Sequence, residues 1–222
     1  MGSSAAETLL PTRGVSFGTL WPADDCHAVG VRLCLYCGSK AGTNAAYADA
    51  AREFGRTCAE RGVGLVFGGG SVGLMGLAAN AAMSAGGEVI GVITEQLVGA
   101  EVAHHGLTRL EVVATMHERK ARMSDLADGF VVLPGGFGTV DEFAEILTWN
   151  QLGILAKPVV LLDVDGYWAP LLEWADRAVE AGFVRAEHRS LAQRAVTVAE
   201  AITLATSSPP PSSVKWADSD SR

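Results

Sequence analysis

Phe130–Glu145 reads FVVLPGGFGTVDEFAE, and the fold class is decided by how this stretch is read. A short apolar run enters Pro134, Gly135, Gly136, Phe137, Gly138 and Thr139, after which a helical pattern begins. A continuous apolar run bounded by turn residues reads as a buried strand, and a strand feeding a helix through glycines is half of a βαβ unit. Glycines let the backbone turn tightly and approach a ligand. The helix that follows points its unpaired N–H groups and positive dipole end at the turn. Such a place holds an anion, most often a phosphate. The helix is expected to start at Thr139, with Asp141 and Glu142 in its first turn. Glu142 then sits within reach of the organic part of a bound anion.

The same alternation extends in both directions. Further strands are expected at 31–37, 63–67, 88–94, 107–113, 157–163 and 195–198. Helices are expected at 44–61, after Gly76, and at 115–127, 139–153, 167–181 and 199–205, with a loop over 95–106 that contains a helical turn. The strands are continuous apolar runs rather than alternating ones, the mark of a parallel sheet covered on both faces. Right-handed crossovers make it doubly wound. The expected fold is therefore α/β: a doubly wound parallel sheet with helices on both faces, Rossmann-like, in a single domain over 29–206. Residues 1–28 read as a weakly ordered arm, and 207–222 (SSPPPSSVKWADSDSR) as a disordered tail by composition. Ligands of such sheets sit at the carboxyl ends of the strands.

Composition narrows the function classes. With 222 residues, 49% hydrophobic and 19% charged, the chain can bury a full core. Net charge is −8 and no Lys/Arg block stands out, which argues against a nucleic-acid surface. The first residues lack a basic start followed by an apolar run, and no apolar run approaches membrane-spanning length. A cytoplasmic protein with no membrane partner is expected. Cys34-Leu-Tyr-Cys37 has C-x-x-C spacing, but no second pair completes a zinc site. Cys26, Cys34, Cys37 and Cys58 are read as inert thiols.

Two more stretches could carry chemistry. Gly68, Gly70 and Gly73 spell G-x-G-x-x-G between a strand and a helix. A dinucleotide site also needs an acid at the end of the next strand to hold the ribose. Here Glu88 begins that strand, and its end reads Ile93-Thr94. The fit to nicotinamide is poor; a phosphate or sugar cradle and a plain tight turn both remain open. In Thr115–Met123 (TMHERKARM), Thr115 and Glu118 form a capping box that starts a helix. Arg119 falls within the apolar stripe of Met116, Met123, Leu126 and Ala127, while Lys120 and Arg122 fall on more exposed sides. An inward guanidinium needs an anionic or aromatic partner, unless it snorkels past the core edge. His104, His105 and His117 lack a carboxylate to complete a metal set, so no metal is expected. Thr139 and Glu142 repeat the capping-box spacing, so closing its own helix is an alternative role for Glu142.

Pro134-Gly135-Gly136-x-Gly138-Thr139-x-x-Glu142 resembles the PGGxGTxxE motif of the "lonely guy" (LOG) family of cytokinin riboside 5′-monophosphate phosphoribohydrolases, proteins often labelled lysine decarboxylases. The resemblance runs from about Val31 to Val184. It takes in Cys37-Gly38-Ser39, Gly68–Gly76 (GGGSVGLMG), Glu101–Thr108 (EVAHHGLT), Met116–Lys120 (MHERK), Thr148–Ile154 (TWNQLGI) and Val164–Trp168 (VDGYW). It implies a homodimer of the fold already read. The implied reaction is hydrolysis of the N-glycosidic bond of an N6-substituted AMP, or AMP itself, to free base and ribose 5-phosphate. It implies Arg119 and Glu142 as catalytic residues. Substrate contacts are implied at Ser39, Gly69, Gly70, Met116, Lys120, Gly135, Gly136, Gly138 and Thr139, with neither cofactor nor metal. A non-catalytic nucleotide-binding or carrier protein on the same scaffold is the rival from another class.

Overall fold

Leu33, Leu35 and Cys37 pack on one side of the sheet and Cys34 and Tyr36 on the other, each set joining a separate buried cluster. A strand apolar on both faces needs cover on both, and the period of two sorts its side chains between them. The computed structural model describes residues 30–98 and 103–207. The expected arm over 1–28, Cys26, Glu101 and Val102, and the tail beyond Ser207 lie outside the described residues.

The strands are β1 (Arg32–Tyr36), β2 (Gly64–Phe67), β3 (Val89–Thr94), β4 (Arg109–Val113), β5 (Gly129–Val132), β6 (Val159–Leu162) and β7 (Ala192–Ala195). They form one seven-stranded sheet in the order β4-β3-β2-β1-β5-β6-β7. All six pairings are parallel. The longer helices are α1 (Ala45–Glu60), α2 (Gly73–Ser84), α4 (Met116–Leu126), α5 (Phe137–Gln151), α6 (Ala169–Glu180) and α8 (Val198–Ala205). The other helical elements among the described residues are two single turns, α3 (Glu95–Val98) and α7 (Ala186–Arg189), and a 3-10 turn at Val164–Gly166. Side chains of α1, α2 and α8 cover one face; those of α4, α5 and α6 cover the other.

The strand order reverses at β1, which has β2 on one side and β5 on the other. Ligand crevices open at such switch points, outside the carboxyl ends of the strands. At this one the chain leaves β1 through Cys37-Gly38-Ser39 and leaves β5 through Pro134-Gly135-Gly136. Gly38 N donates to the carbonyl of Pro134 at 3.0 Å, joining the two turns.

The doubly wound reading holds, with two local differences. The last strand is Ala192–Ala195 and not 195–198. Thr197 caps α8 by accepting from the Glu200 amide, so Val198 belongs to the helix. The turn α7 had no apolar period to announce it. Glu88, just before β3, forms a two-point pair with Arg32 (2.7 and 2.9 Å), at the amino ends of the strands and opposite the ligand end. Its role is thus structural. Among the described residues no helix is long and apolar enough to cross a membrane.

Candidate active site

At the switch point lies a cleft of about 220 Å³ whose wall includes Ser39, Gly68, Arg119, Gly136, Thr139 and Glu142. It is built from the ends of three strands and the starts of two helices. A wider crease of about 520 Å³ runs between α1 and α2, lined by Asp49, Arg52, Glu53, Arg56 and Glu60. There the charges face each other, Arg52 to Asp49 at 2.9 Å and Arg56 to Glu60 at 3.8 Å. It lies apart from both glycine turns, whereas the smaller cleft is lined by residues of both.

Arg119 is buried at 6% exposure, and its partners are mainly backbone. Its Nε donates to the Val92 carbonyl at 3.0 Å and its Nη2 to the Gly68 carbonyl at 3.1 Å. Nη1 faces Glu142 Oε1 at 3.6 Å and the Met116 sulfur at 3.4 Å. Two carbonyls, one within β3 and one just past the end of β2, thus fix the guanidinium plane and leave one edge toward the carboxylate. The snorkelling alternative is excluded. This placement needs Gly68, because a Cβ there would stand 1.9 Å from Arg119 Nη2. The sequence marked Gly68 only as the first letter of a fingerprint; its close approach to a residue 51 positions away had no local signal.

The expectation for the start of α5 is corrected. The helix begins at Phe137, not Thr139, with Gly136 as a cap that has no side chain to offer. No acid lies in the first turn, Thr139 is the third helical residue, and Glu142 falls a turn later. The Thr139–Glu142 capping box does not form. Glu142, with 14% of its side chain exposed, turns to Arg119 instead. At 3.6 Å the two make an ion pair without a hydrogen bond. Asp141 and Glu145 both meet Lys120 Nζ, at 3.0 and 3.1 Å.

Lys120 and Arg122 are buried, contrary to the expected exposure. Arg122 holds Glu111 on β4 through two contacts of 2.7 and 3.2 Å. Lys120 bridges α4 to α5. Desolvation pulls its pKa down, but hydrogen bonds and charges from Asp141 and Glu145 outweigh this and leave it raised above 10.5. On α4, Thr115 accepts from the Glu118 amide at 3.1 Å, and Glu118 accepts from Thr115 N at 3.2 Å, completing the expected box.

Of the remaining expected contacts, Ser39, Gly136, Gly138 and Thr139 line the cleft. Gly135 packs beneath Thr139, whose Oγ1 would lie 2.1 Å from any Cβ there. Met116 reaches the guanidinium but is 42% exposed, at the rim. Gly69 and Gly70 are buried and tied to the next loop, by a bond from His104 N to the Gly69 carbonyl and by a bridge between Gly70 and Ala103. His104 Nε2 lies 3.0 Å from Asn80 Oδ1. No group of three or more His, Cys, Asp or Glu with metal-holding geometry occurs among the described residues. Burial, and then the nearby charge of Glu142, push the Cys34 and Cys37 thiols up. Burial alone pushes Cys58 up to about 12. All three stay protonated at neutral pH, as expected of inert thiols.

This arrangement has relatives. A family model described as "Possible lysine decarboxylase" matches residues 75–205. The cytokinin riboside 5′-monophosphate phosphoribohydrolase LOG of Oryza sativa subsp. japonica is 48% identical over 171 residues, covering 77% of this chain and 71% of that protein. The chain belongs to the LOG family. Within it, the phosphoribohydrolase LOG1 of Arabidopsis thaliana is 45% identical over 171 residues, 77% of this LOG-family chain and 80% of its relative. Among solved structures, the Moco carrier protein from Chlamydomonas reinhardtii matches with a TM-score of 0.59 and 27% identity, over 78% of this chain and 93% of that one.

Proposed function

We propose that this chain hydrolyses the N-glycosidic bond of cytokinin riboside 5′-monophosphates, N6-substituted AMP and AMP itself, to free base and ribose 5-phosphate. The observation that carries the reading is the meeting of Arg119 and Glu142 at 3.6 Å in one cleft beside the uncapped start of α5. The enzyme class is that of the curated relatives.

The chemistry follows from the charges. Breaking the bond between C1′ and the base builds positive charge on the ribose, as in glycoside hydrolysis. The Glu142 carboxylate stabilises that charge and orients a water for attack. The water oxygen bonds to C1′, the bonding pair leaves with the base, and one proton passes in net to the base. Arg119, held by two carbonyls, keeps the nucleotide against the carboxylate without reorganising. The amides from Gly135 to Thr139, at the turn into α5, receive the 5′-phosphate. Ser39 and the Thr139 hydroxyl complete its cradle.

The family model's description names a different reaction. Lysine decarboxylation runs on pyridoxal phosphate joined to a lysine as an imine, which needs a neutral, unpaired amine. Lys120, the lysine held beside Arg119, is paired with two carboxylates and its pKa is raised. That site does not fit the cofactor.

The chain is assigned to the cytoplasm as a homodimer, with the base pocket covered by the second copy or by a loop. Phe137 (97% exposed) and Met116 (42%) at the cleft's rim support such a covering, and three free, buried cysteines suit a reducing compartment. Sedimentation equilibrium would return twice the 23.1 kDa chain mass. The domain itself is assigned to 29–206.

Purified protein should release free base from AMP and isopentenyl-AMP and none from the matching riboside. Binding of monophosphates at equilibrium without base release would favour the rival carrier reading, which the likeness to the Moco carrier protein keeps in view.

A further inference from the structure

Val164–Trp168 (VDGYW) lines no part of the Arg119–Glu142 cleft, yet it holds the loop that frames it. Tyr167 Oη donates to the Gly135 carbonyl at 2.6 Å. Across a trans peptide the carbonyl of one residue and the N–H of the next point in opposite directions. Drawing the Gly135 oxygen toward Tyr167 therefore turns the Gly136 N–H away from it. A peptide between two glycines is free to rotate, and if it flipped, a carbonyl oxygen would replace an N–H at the anion site.

The segment behind Tyr167 is built to stay put. Asp165 is the one non-glycine with positive φ (52°) among the described residues. Such strain persists where the surroundings over-determine it. Here Asn44 Nδ2 donates to Asp165 Oδ2 at 2.7 Å. The Tyr167 ring meets Tyr47 and Trp168 edge-on, at 5.5 and 4.9 Å between centroids. Trp168 N donates to Asp163 Oδ1 at 2.7 Å.

We infer that Tyr167 is a positioning residue for phosphate recognition: its hydroxyl fixes the Gly135–Gly136 peptide so that the loop offers N–H groups, not a carbonyl, to the 5′-phosphate. The inference rests on the proposed reaction and deepens it.

The test is Tyr167→Phe in the full chain, which keeps the ring and removes the bond. Ribose 5-phosphate binding by calorimetry should weaken about three- to tenfold. KM for the monophosphate should rise by a similar factor, with kcat within about twofold and the unfolding midpoint nearly unchanged. Tyr167→Ala, which also removes the ring, should be worse in stability and binding alike. Asp165→Gly, which frees the turn but leaves Tyr167 intact, should weaken phosphate binding by about twofold and keeps the question answerable if the tyrosine variants fail to fold. The inference is overturned if Tyr167→Phe and Asp165→Gly both bind ribose 5-phosphate like the wild type, or if Tyr167→Phe loses kcat and stability together without a change in KM. A wild-type chain that releases no base from any monophosphate defeats the proposed reaction instead, and the calorimetric comparison still judges Tyr167.

Discussion

Of the three helices that begin near the spelling Thr-x-x-Glu, α4 and α5 use it differently. At α4, Thr115 and Glu118 close a reciprocal box around the first turn. At α5, Thr139 and Glu142 lie inside the helix, because it starts two residues earlier on a glycine cap. The difference separates a structural end from a receptive one. A boxed terminus spends its orphan N–H groups on its own side chains, whereas a glycine-capped terminus leaves them for a ligand. The same shift moves Glu142 from cap to cleft.

The comparison can be broken from the side of the cleft first. Gly68→Ala places a methyl where the Arg119 Nη2 now lies. Displacing the guanidinium should cost about 10²-fold in kcat for base release. A variant with wild-type kcat would show that the Glu142–Arg119 approach does not matter. The boxed end should respond in stability alone. Thr115→Ala should cost about 1 kcal/mol, read as a drop of about 2–4 °C in the unfolding midpoint for a domain of this size, with kcat retained. The smallest effect sharpens the contrast by giving α5 the cap it lacks. Gly136→Ser puts a Cβ into open space at φ −93°. The helix should gain a few tenths of a kcal/mol, while ribose 5-phosphate binds several-fold more weakly because an N–H is now taken. Tighter binding would contradict the open-terminus account.

The sheet was legible because long apolar runs and helical periods alternate without interruption, and the strands fall within one to three residues of their expected places. The Thr115 box was legible because its chemistry is local. Three features were not. The start of α5 depended on Phe137 and Gly138 taking a helical conformation that their propensities disfavour. The burial of Lys120 and Arg122 depended on carboxylates from α5 and β4, which lie outside α4. The roles of Gly68 and Tyr167 depend on approaches across 51 and 32 residues. Arg119 could be picked out as inward-facing from its stripe, but its partners come from within β3 and from just past β2 and could not be read from spacing.

The central claim is that Glu142, released from capping, acts on the sugar of a bound nucleotide. Glu142→Gln keeps the shape of the side chain and removes its charge, so the most direct measurement is its rate of base release from isopentenyl-AMP beside its affinity for ribose 5-phosphate. A role for that charge at the sugar predicts a loss of about 10²–10⁴-fold in rate, with ribose 5-phosphate still bound and the unfolding midpoint held. Turnover at the wild-type rate would contradict it.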